Sequence, residues 1–448
     1  MPESLQPRYE PIALSAESTV VAEFVPEPAA QAAYQSEADL ERTFLALLVE
    51  QAYEYLPVRS EADLIANLRV QLEALNQVTF TDGEWQRFFT HQVASANDGI
   101  VEKTAKIQSD HVQVLKRDDG SFKNIYLLDK QHLHNNRLQV INQYEVPATA
   151  AGADAAQVGG ARANRYDVTI LVNGLPLVHV ELKRRGVDIR EAFNQINRYA
   201  RDSFWADSGL FEYVQLFVIS NGTLTKYYSN TVRDQHLSEA SGKRRRRQTS
   251  NSYEFTSWWA DAGNKPITDL VGFTRTFFAK HTLLNVLTRY CVFDADHKLL
   301  VMRPYQIAAT EQILRRIETS TNSRRLGTVA AGGYVWHTTG SGKTLTSFKT
   351  AQLATKLPQI DKRDGRREPF NEHKLRGGLA RAFEKRAVSI EDIDKVIDVV
   401  MRKLVAIEGR GGLIAVDAQG NVALPFNTEG MYRGFARGAE APVVSIYR

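Results

Sequence analysis

Asp167, Glu181 and Lys183 are the residues whose types and spacing most directly suggest chemistry. They lie in YDVTILVNGLPLVHVELK (residues 166–183), two β-rich runs joined by an Asn173-Gly174 turn signal, which predicts a hairpin. Along each run residues alternate between faces. If Val168, Ile170 and Val172 enter the same core as Val178, Val180 and Leu182, then Asp167, Glu181 and Lys183 share the opposite face. A plain two-residue turn would set Asp167 against Val180, so the pattern requires a three-residue loop or a β-bulge. Asp167, Glu181 and the backbone carbonyl of Leu182 are hard oxygen ligands, suited to a Mg²⁺ ion that retains several waters. Such an ion activates water and stabilises charge on a phosphate under attack. Lys183 could orient that water or neutralise the developing negative charge. Taken alone this spacing is a weak signal, because a solvated hairpin face carrying a Glu–Lys pair has the same residues. His179 falls on the same face, where packing or hydrogen bonding is its expected role.

The elements around this hairpin give the signal its weight. Residues 189–202 carry a helical pattern that sets Gln195 and Tyr199 one turn apart on one side. The whole set, D…ExK…QxxxY, resembles the PD-(D/E)xK nucleases, in particular their Q-x-x-x-Y subgroup. The resemblance implies a metal-dependent phosphodiesterase centre of Asp167, Glu181 and Lys183, with Gln195 and Tyr199 beside it near the DNA. Upstream, Ser36 with Asp39 opens a capping box ahead of an apolar helical pattern through Leu40, Phe44, Leu47 and Leu48. Glu41, in the first turn of that helix, complements the helix dipole. The resemblance adds a second role for Glu41, as an extra acidic metal ligand brought from an N-terminal helix. Further helices are expected near 60–75 and 83–95, a strand near 137–146, and a hairpin around Asn221-Gly222, giving about five strands flanked by helices. His132 and His134 form an H-x-H pair with no third ligand in view, as strand-edge histidines do.

Farther on, HTTGSGKTLTS (residues 337–347) follows a strand signal and opens a helical pattern. A strand, a small flexible loop ending in Gly-Lys-Thr and a helix are what a phosphate cradle needs. Backbone N–H groups of Thr339, Gly340, Ser341 and Gly342 would bind the phosphates, Lys343 would reach the β/γ oxygens and Thr344 would hold Mg²⁺. His337 stands where the strict motif has its leading glycine. The succession of the QxxxY segment, RPYQ at 303–306 and WHTTGSGKTLTSFKTA resembles the restriction (R) subunit of type I restriction-modification enzymes, from about residue 30 to residue 361. That likeness implies an ATP-driven translocase on double-stranded DNA with RecA-like motor domains, working with methyltransferase and specificity subunits. It also implies that Gln306 reads adenine.

Composition sets the remaining bounds. A chain of 448 residues with 43% hydrophobic and 24% charged content is an ordinary globular protein of two to three domains. The net charge of +4 confines any nucleic-acid surface to local patches. One such patch, KRRRR at 243–247, either holds phosphates or is a solvated loop. Cys291 is the sole cysteine, which excludes internal disulfides and cysteine-based zinc sites. With no signal-like N-terminus and no bilayer-length apolar run, a cytoplasmic protein without membrane contact is expected.

After Ile360 the resemblance changes. Residues 362–408 resemble an ATP-cone, and residues 411–448 resemble the C-terminal end of an isoaspartyl peptidase without its catalytic threonine segment. Neither the Asp-Glu motif nor the second-domain arginine of an ATP motor follows the loop, so useful ATP hydrolysis and translocation are not expected. Three unrelated families in one chain suggest a rearranged or joined reading frame. The expected fold is α/β: a PD-(D/E)xK nuclease core with a mixed sheet, then an incomplete RecA-like P-loop domain. The expected layout is a loosely ordered arm (1–35), nuclease (36–260), motor start (261–361), ATP-cone-like segment (362–408) and peptidase-like end (409–448). Two functions follow: a truncated Mg²⁺-dependent type I restriction endonuclease subunit with an ATP-binding loop, or a catalytically idle subunit that only binds DNA or partner subunits.

Overall fold

The computed structural model describes residues 18–26, 35–146, 164–202, 204, 208–230, 253, 256–294, 297–324, 332–333, 335, 337–338 and 340–357, with four short strands beyond residue 410. The chain divides into two compact units, Met1–Ala308 and Ala309–Arg448.

The first unit opens with α1 (Glu37–Glu50), β1 (Glu54–Tyr55), α2 (Glu61–Asn76), α3 (Asp82–Phe88, prolonged by a π-helical turn) and α4 (Ile100–Gln108). These helices start where the sequence supplies caps. Ser36 accepts from the Asp39 N–H at 3.2 Å, and Ser60 with Asp63 and Thr81 with Glu84 close full capping boxes. Helix α1 buries Leu40, Phe44, Leu47 and Leu48, the apolar stripe that a 3.6-residue period places on one side. A separate hairpin of β2 (Val112–Lys116) and β3 (Phe122–Tyr126) precedes the strands β4 (Leu138–Val146), β5 (Asn164–Val172) and β6 (Leu175–Leu182). Helix α5 (Ile189–Asp202), β7 (Leu216–Ser220) and β8 (Thr225–Ser229) follow.

Six strands form one mixed sheet in the order β1-β4-β5-β6-β7-β8. The β1–β4 and β6–β7 pairs are parallel, and the others are antiparallel. Every residue of β6 is buried, as a central strand covered on both faces requires. The mixed α/β class is as expected, with the short edge strand β1 added.

The β5–β6 register carries the decisive local feature. Val168 pairs with Val180 and Ile170 with Val178, but Leu171 pairs with Pro176 and Val172 with Leu175. One extra residue on β6 is therefore accommodated by a bulge, while the turn itself stays at the two residues Asn173 and Gly174. Both turn residues take left-handed φ values, 51° and 83°. The bulge restores the parity that the apolar pattern demanded and brings Asp167 opposite Glu181. Gly174 is doubly constrained, because a Cβ there would stand 2.6 Å from Leu68 Cα of α2. We expect Gly174→Ala to destabilise the first unit by about 2 kcal/mol through the combined φ and steric cost, read as a lowered thermal midpoint; an unchanged midpoint would contradict the close approach.

Helices α6 (Leu270–Phe277) and α7 (Lys280–Thr288) and the hairpin of β9 (Cys291–Phe293) with β10 (Leu299–Val301) complete this unit. All of these elements lie within the first compact unit, Met1–Ala308. The reason is apolar packing: Phe278, just after α6, meets Phe44 of α1 edge-on at 5.3 Å and accepts through its carbonyl from the Tyr53 hydroxyl at 2.7 Å. Part of the supposedly loose arm is likewise docked. Val20 and Phe24 are buried, the Phe24 N–H donates to Asp261 at 3.1 Å, and the Ala262 N–H donates to the Val21 carbonyl.

Helix α8 (Pro304–Asn322) spans the division between the units, and α9 (Lys343–Ala354) follows the glycine-rich loop in the second. Beyond it are β11 (Ala415–Val416) paired with β12 (Val422–Ala423), and β13 (Arg433–Phe435) paired with β14 (Val443–Ser445). The Ala/Gly-rich stretch 147–163, the basic run 243–247 and the ATP-cone-like segment 362–408 lie outside the described residues, as does most of 409–448.

Candidate active site

Strands β5 and β6 bring Asp167, Glu181 and Lys183 together. One Asp167 carboxylate oxygen accepts from the Leu182 backbone N–H at 2.9 Å, across the two strands. Lys183 donates to Glu181 Oε1 at 3.1 Å and to the Leu182 carbonyl at 3.0 Å. Glu181 is 0% exposed and Lys183 9% exposed, so this is a desolvated cluster rather than a solvated hairpin face. Burial pushes the Asp167 carboxyl up to about 7, with the Glu181 charge adding to the effect and the Leu182 N–H and Lys183 opposing it. Burial likewise pushes Glu181 up to about 7 against the pull of Lys183. One lysine does not compensate two buried carboxylates.

The donor set fits a hard divalent cation. Glu181 Oε2 is buried and accepts no hydrogen bond from the described residues; its neighbour is His179 Nε2 at 3.5 Å. A carboxylate oxygen in that condition, beside a second under-compensated carboxylate, is what a cation satisfies. No group of three or more His, Cys, Asp or Glu side chains able to hold a metal occurs among the described residues. An ion here would therefore draw on Asp167, Glu181, the Leu182 carbonyl and oxygens from water or phosphate, the manner in which Mg²⁺ is usually held. Lys183 already occupies two of those oxygens.

The surrounding residues divide into braces and neighbours. On α5 the Gln195 amide donates to the Tyr199 hydroxyl, which donates to the Arg165 carbonyl of β5 at 2.7 Å. Tyr199 is 2% exposed and its ring packs at 5.0 Å from that of Tyr166. The pair thus fixes α5 to β5 two residues before Asp167, a positioning geometry. His179 is fully buried, shares a hydrogen bond with Thr169 at 3.2 Å, and lies edge-on to Tyr166 and Phe204, so it packs as expected.

The two Glu41 carboxylate oxygens accept from Asn142 and Gln143 of β4. The α1 carboxylate that approaches the lysine is Glu37, 3.8 Å from Lys183 Nζ and one turn earlier on the same side of the helix. That spacing is the sequence signal that could have singled out Glu37 together with Glu41. Gln143 is a second residue the sequence did not mark. Its register position faces Asp167, because Asn142 pairs with Val168 and Tyr144 with Tyr166, and its φ is 50°. A non-glycine residue in left-handed backbone beside the carboxylates is a local irregularity of the kind that gathers at functional sites. His132 and His134 form no metal cluster; His132 lies 3.6 Å from Asp129.

In the second unit, Gly340 and Gly342 both take left-handed φ, 77° and 78°, and Gly342 caps α9. Ser341 donates to the Thr338 carbonyl at 2.7 Å and shares a hydrogen bond with His337 Nδ1 at 3.1 Å. Lys343 folds back on the loop, donating to the His337 carbonyl at 3.4 Å, and Thr344 is exposed beside it. Thr339 lies outside the described residues. Gln306 belongs to the first unit, where its side-chain oxygen accepts from the Arg303 N–H at 2.8 Å at the start of α8.

No helix among the described residues is long and apolar enough to cross a membrane. Residues 34–236 match the family described as type I restriction enzyme R protein N terminus, residues 305–363 match SWI2/SNF2 ATPase, and residues 358–417 match ATP cone domain. The chain is 49% identical over 318 residues to the type I restriction enzyme EcoprrI endonuclease subunit of Escherichia coli, covering 71% of this chain and 93% of that protein. It is 38% identical over 335 residues to a type I restriction enzyme endonuclease subunit of Staphylococcus saprophyticus, covering 73% of this chain but 31% of that longer protein. A stretch of 50 residues is 62% identical to an isoaspartyl peptidase of Escherichia coli strain K12, covering 16% of that protein. The mixed sheet and the matches over most of its length together place this chain in the family of type I restriction enzyme endonuclease (R) subunits.

Proposed function

We propose that this chain acts as the DNA-cleaving subunit of a type I restriction system, with a PD-(D/E)xK centre formed by Asp167, Glu181, Lys183 and the Leu182 carbonyl. The observation that carries this reading is the β5–β6 bulge, which turns two carboxylates and a lysine onto one buried point. A Mg²⁺ ion held by Asp167, Glu181 and the Leu182 carbonyl would supply an activated water and positive charge. The Leu182 N–H fixes Asp167, and Lys183 places a cation where negative charge develops on the phosphate. The Gln195–Tyr199 brace holds α5 against the start of β5, and Glu37 stands ready to receive the Lys183 ammonium.

In the second unit the loop at 340–344 has the backbone form of a phosphate cradle, and ATP is its proposed ligand, in a RecA-like motor domain of which this is the start. Double-stranded DNA and the methyltransferase and specificity subunits are the proposed partners, in the cytoplasm. Nicking of supercoiled plasmid tests the cleavage reading. The purified chain, with partner subunits added, is expected to nick in Mg²⁺, to stop in EDTA, and to lose activity in Asp167→Ala. Nicking that persists in that variant would overturn it.

A further inference from the structure

Lys226 of β8 is half-buried, donates to the Thr256 hydroxyl at 3.0 Å, and lies over two aromatic rings, 4.8 Å from Tyr253 and 4.7 Å from Trp258. Arg190 of α5 covers the Tyr253 ring as well, at 5.0 Å. No ion pair to Lys226 occurs among the described residues. Asp188 also acts on Tyr253, but its Oδ1 accepts from the Arg190 N–H at 2.9 Å as a turn at the start of α5. Burial lowers the Lys226 pKa, in keeping with a cation that has no carboxylate partner among the described residues. Rings order such cations without neutralising them.

The position of this group in the sheet gives it meaning. Glu181 pairs with Ile219, and Ile219 pairs with Lys226. Lys226 thus stands in the same lateral row as the buried carboxylate, two strands away, roughly 10 Å by strand spacing. The contacts confirm a shared face: Phe193 of α5 meets both Tyr253 and Tyr228, Tyr228 meets Phe217, and Phe217 meets His179, which neighbours Glu181. That separation corresponds to about three nucleotides of rise along a duplex strand.

We propose that Lys226 and Arg190, ordered on Tyr253 and Trp258, form a subsite that grips the phosphate backbone of double-stranded DNA beside the cleavage centre. It rests on the nuclease reading above, since it names where that centre's substrate is held. Phosphate oxygens supply the compensation that Lys226 lacks, and the preordered side chains lose little freedom on binding. The contact is to backbone, so it contributes affinity and register rather than sequence preference.

The test is fluorescence-anisotropy binding of a labelled duplex oligonucleotide to the full chain in EDTA, at several salt concentrations. The Lys226→Met, Arg190→Gln pair is expected to weaken binding about tenfold and to lower the salt slope by about two, one for each lost phosphate contact. Lys226→Arg should restore most of the affinity. Arg190→Gln alone changes an exposed side chain, so its smaller loss is read without risk to folding. Unchanged affinity and slope in both Arg190→Gln and the pair, or no duplex binding by the wild type, would overturn the proposal. Nicking by Asp167→Ala reports separately on the nuclease reading, because binding in EDTA needs no catalysis.

Discussion

Lys183→Met is expected to lower Mg²⁺-dependent nicking by about 10²-fold or more, the usual effect of removing one electrostatic stabiliser of the transition state, while tightening metal binding. The second half of this expectation follows from the geometry. The Lys183 ammonium donates to Glu181 Oε1 and to the Leu182 carbonyl, two of the oxygens an ion would use. An ion held there would therefore compete with the ammonium for these oxygens. Glu37, 3.8 Å from Lys183 Nζ and half-exposed, is the anion toward which it can turn. Methionine keeps the length and apolar stem of lysine but removes the charge, so the pocket stays filled. Relief of that repulsion is expected to raise affinity for Mn²⁺ or Mg²⁺ by about tenfold, a change of roughly 1.4 kcal/mol. Isothermal titration beside plasmid nicking separates the two effects. A variant that cleaves like the wild type, or binds metal more weakly, would show that the lysine stabilises the site rather than competing for it.

The sequence made the site legible through alternation. Apolar residues on β5 and β6 had to share a core, and that requirement alone forced a register irregularity between Asp167 and the Asn173-Gly174 turn. The helix cap at Ser36 was readable for a similar reason, since it is a short-range hydrogen-bond pattern, whereas the capping boxes at Ser60 and Thr81 are seen only in the structure. What remained hidden depends on contacts distant in sequence. Which of Glu37 and Glu41, one turn apart on the same side of α1, approaches the lysine depends on where α1 lies along the sheet, and an apolar stripe does not define that position. The docking of residues 18–26 on Asp261 and Ala262 joins segments some 240 positions apart, and no local pattern announces it. Helices α6 and α7 read equally well as the beginning of another domain, because amphipathicity says that a face is buried but not against what.

In metal-free protein, the first unit is expected to lose stability as pH rises from about 4 to about 7, and the double variant Asp167→Asn, Glu181→Gln is expected to abolish most of that loss. The sign follows from the direction of the shifts. Both carboxyls titrate near 7 in the fold, against ordinary values of 3.8 and 4.5, because burial disfavours their charged forms. Between those limits the folded state holds protons that the unfolded chain has released. Stability linked to these groups is therefore fully present below about pH 4 and is lost as pH passes through 7. The two carboxyls interact, so their shifts do not simply add. A loss on the order of 4 kcal/mol for the pair is reasonable at about 1.4 kcal/mol per unit. The carboxylates that are held low, Asp39, Asp63, Asp118, Asp119 and Asp129, act in the opposite sense but only below about pH 4, so the windows separate. Mg²⁺ added at pH 8 should return much of the lost stability to the wild type and none to the double variant, which no longer carries the charges that an ion compensates. Thermal midpoints at pH 5 and pH 8, with and without Mg²⁺, decide the matter. A wild type that is more stable at pH 8 than at pH 5 without metal, by the same margin as the variant, would mean that the carboxylates are compensated within the protein and need no cation.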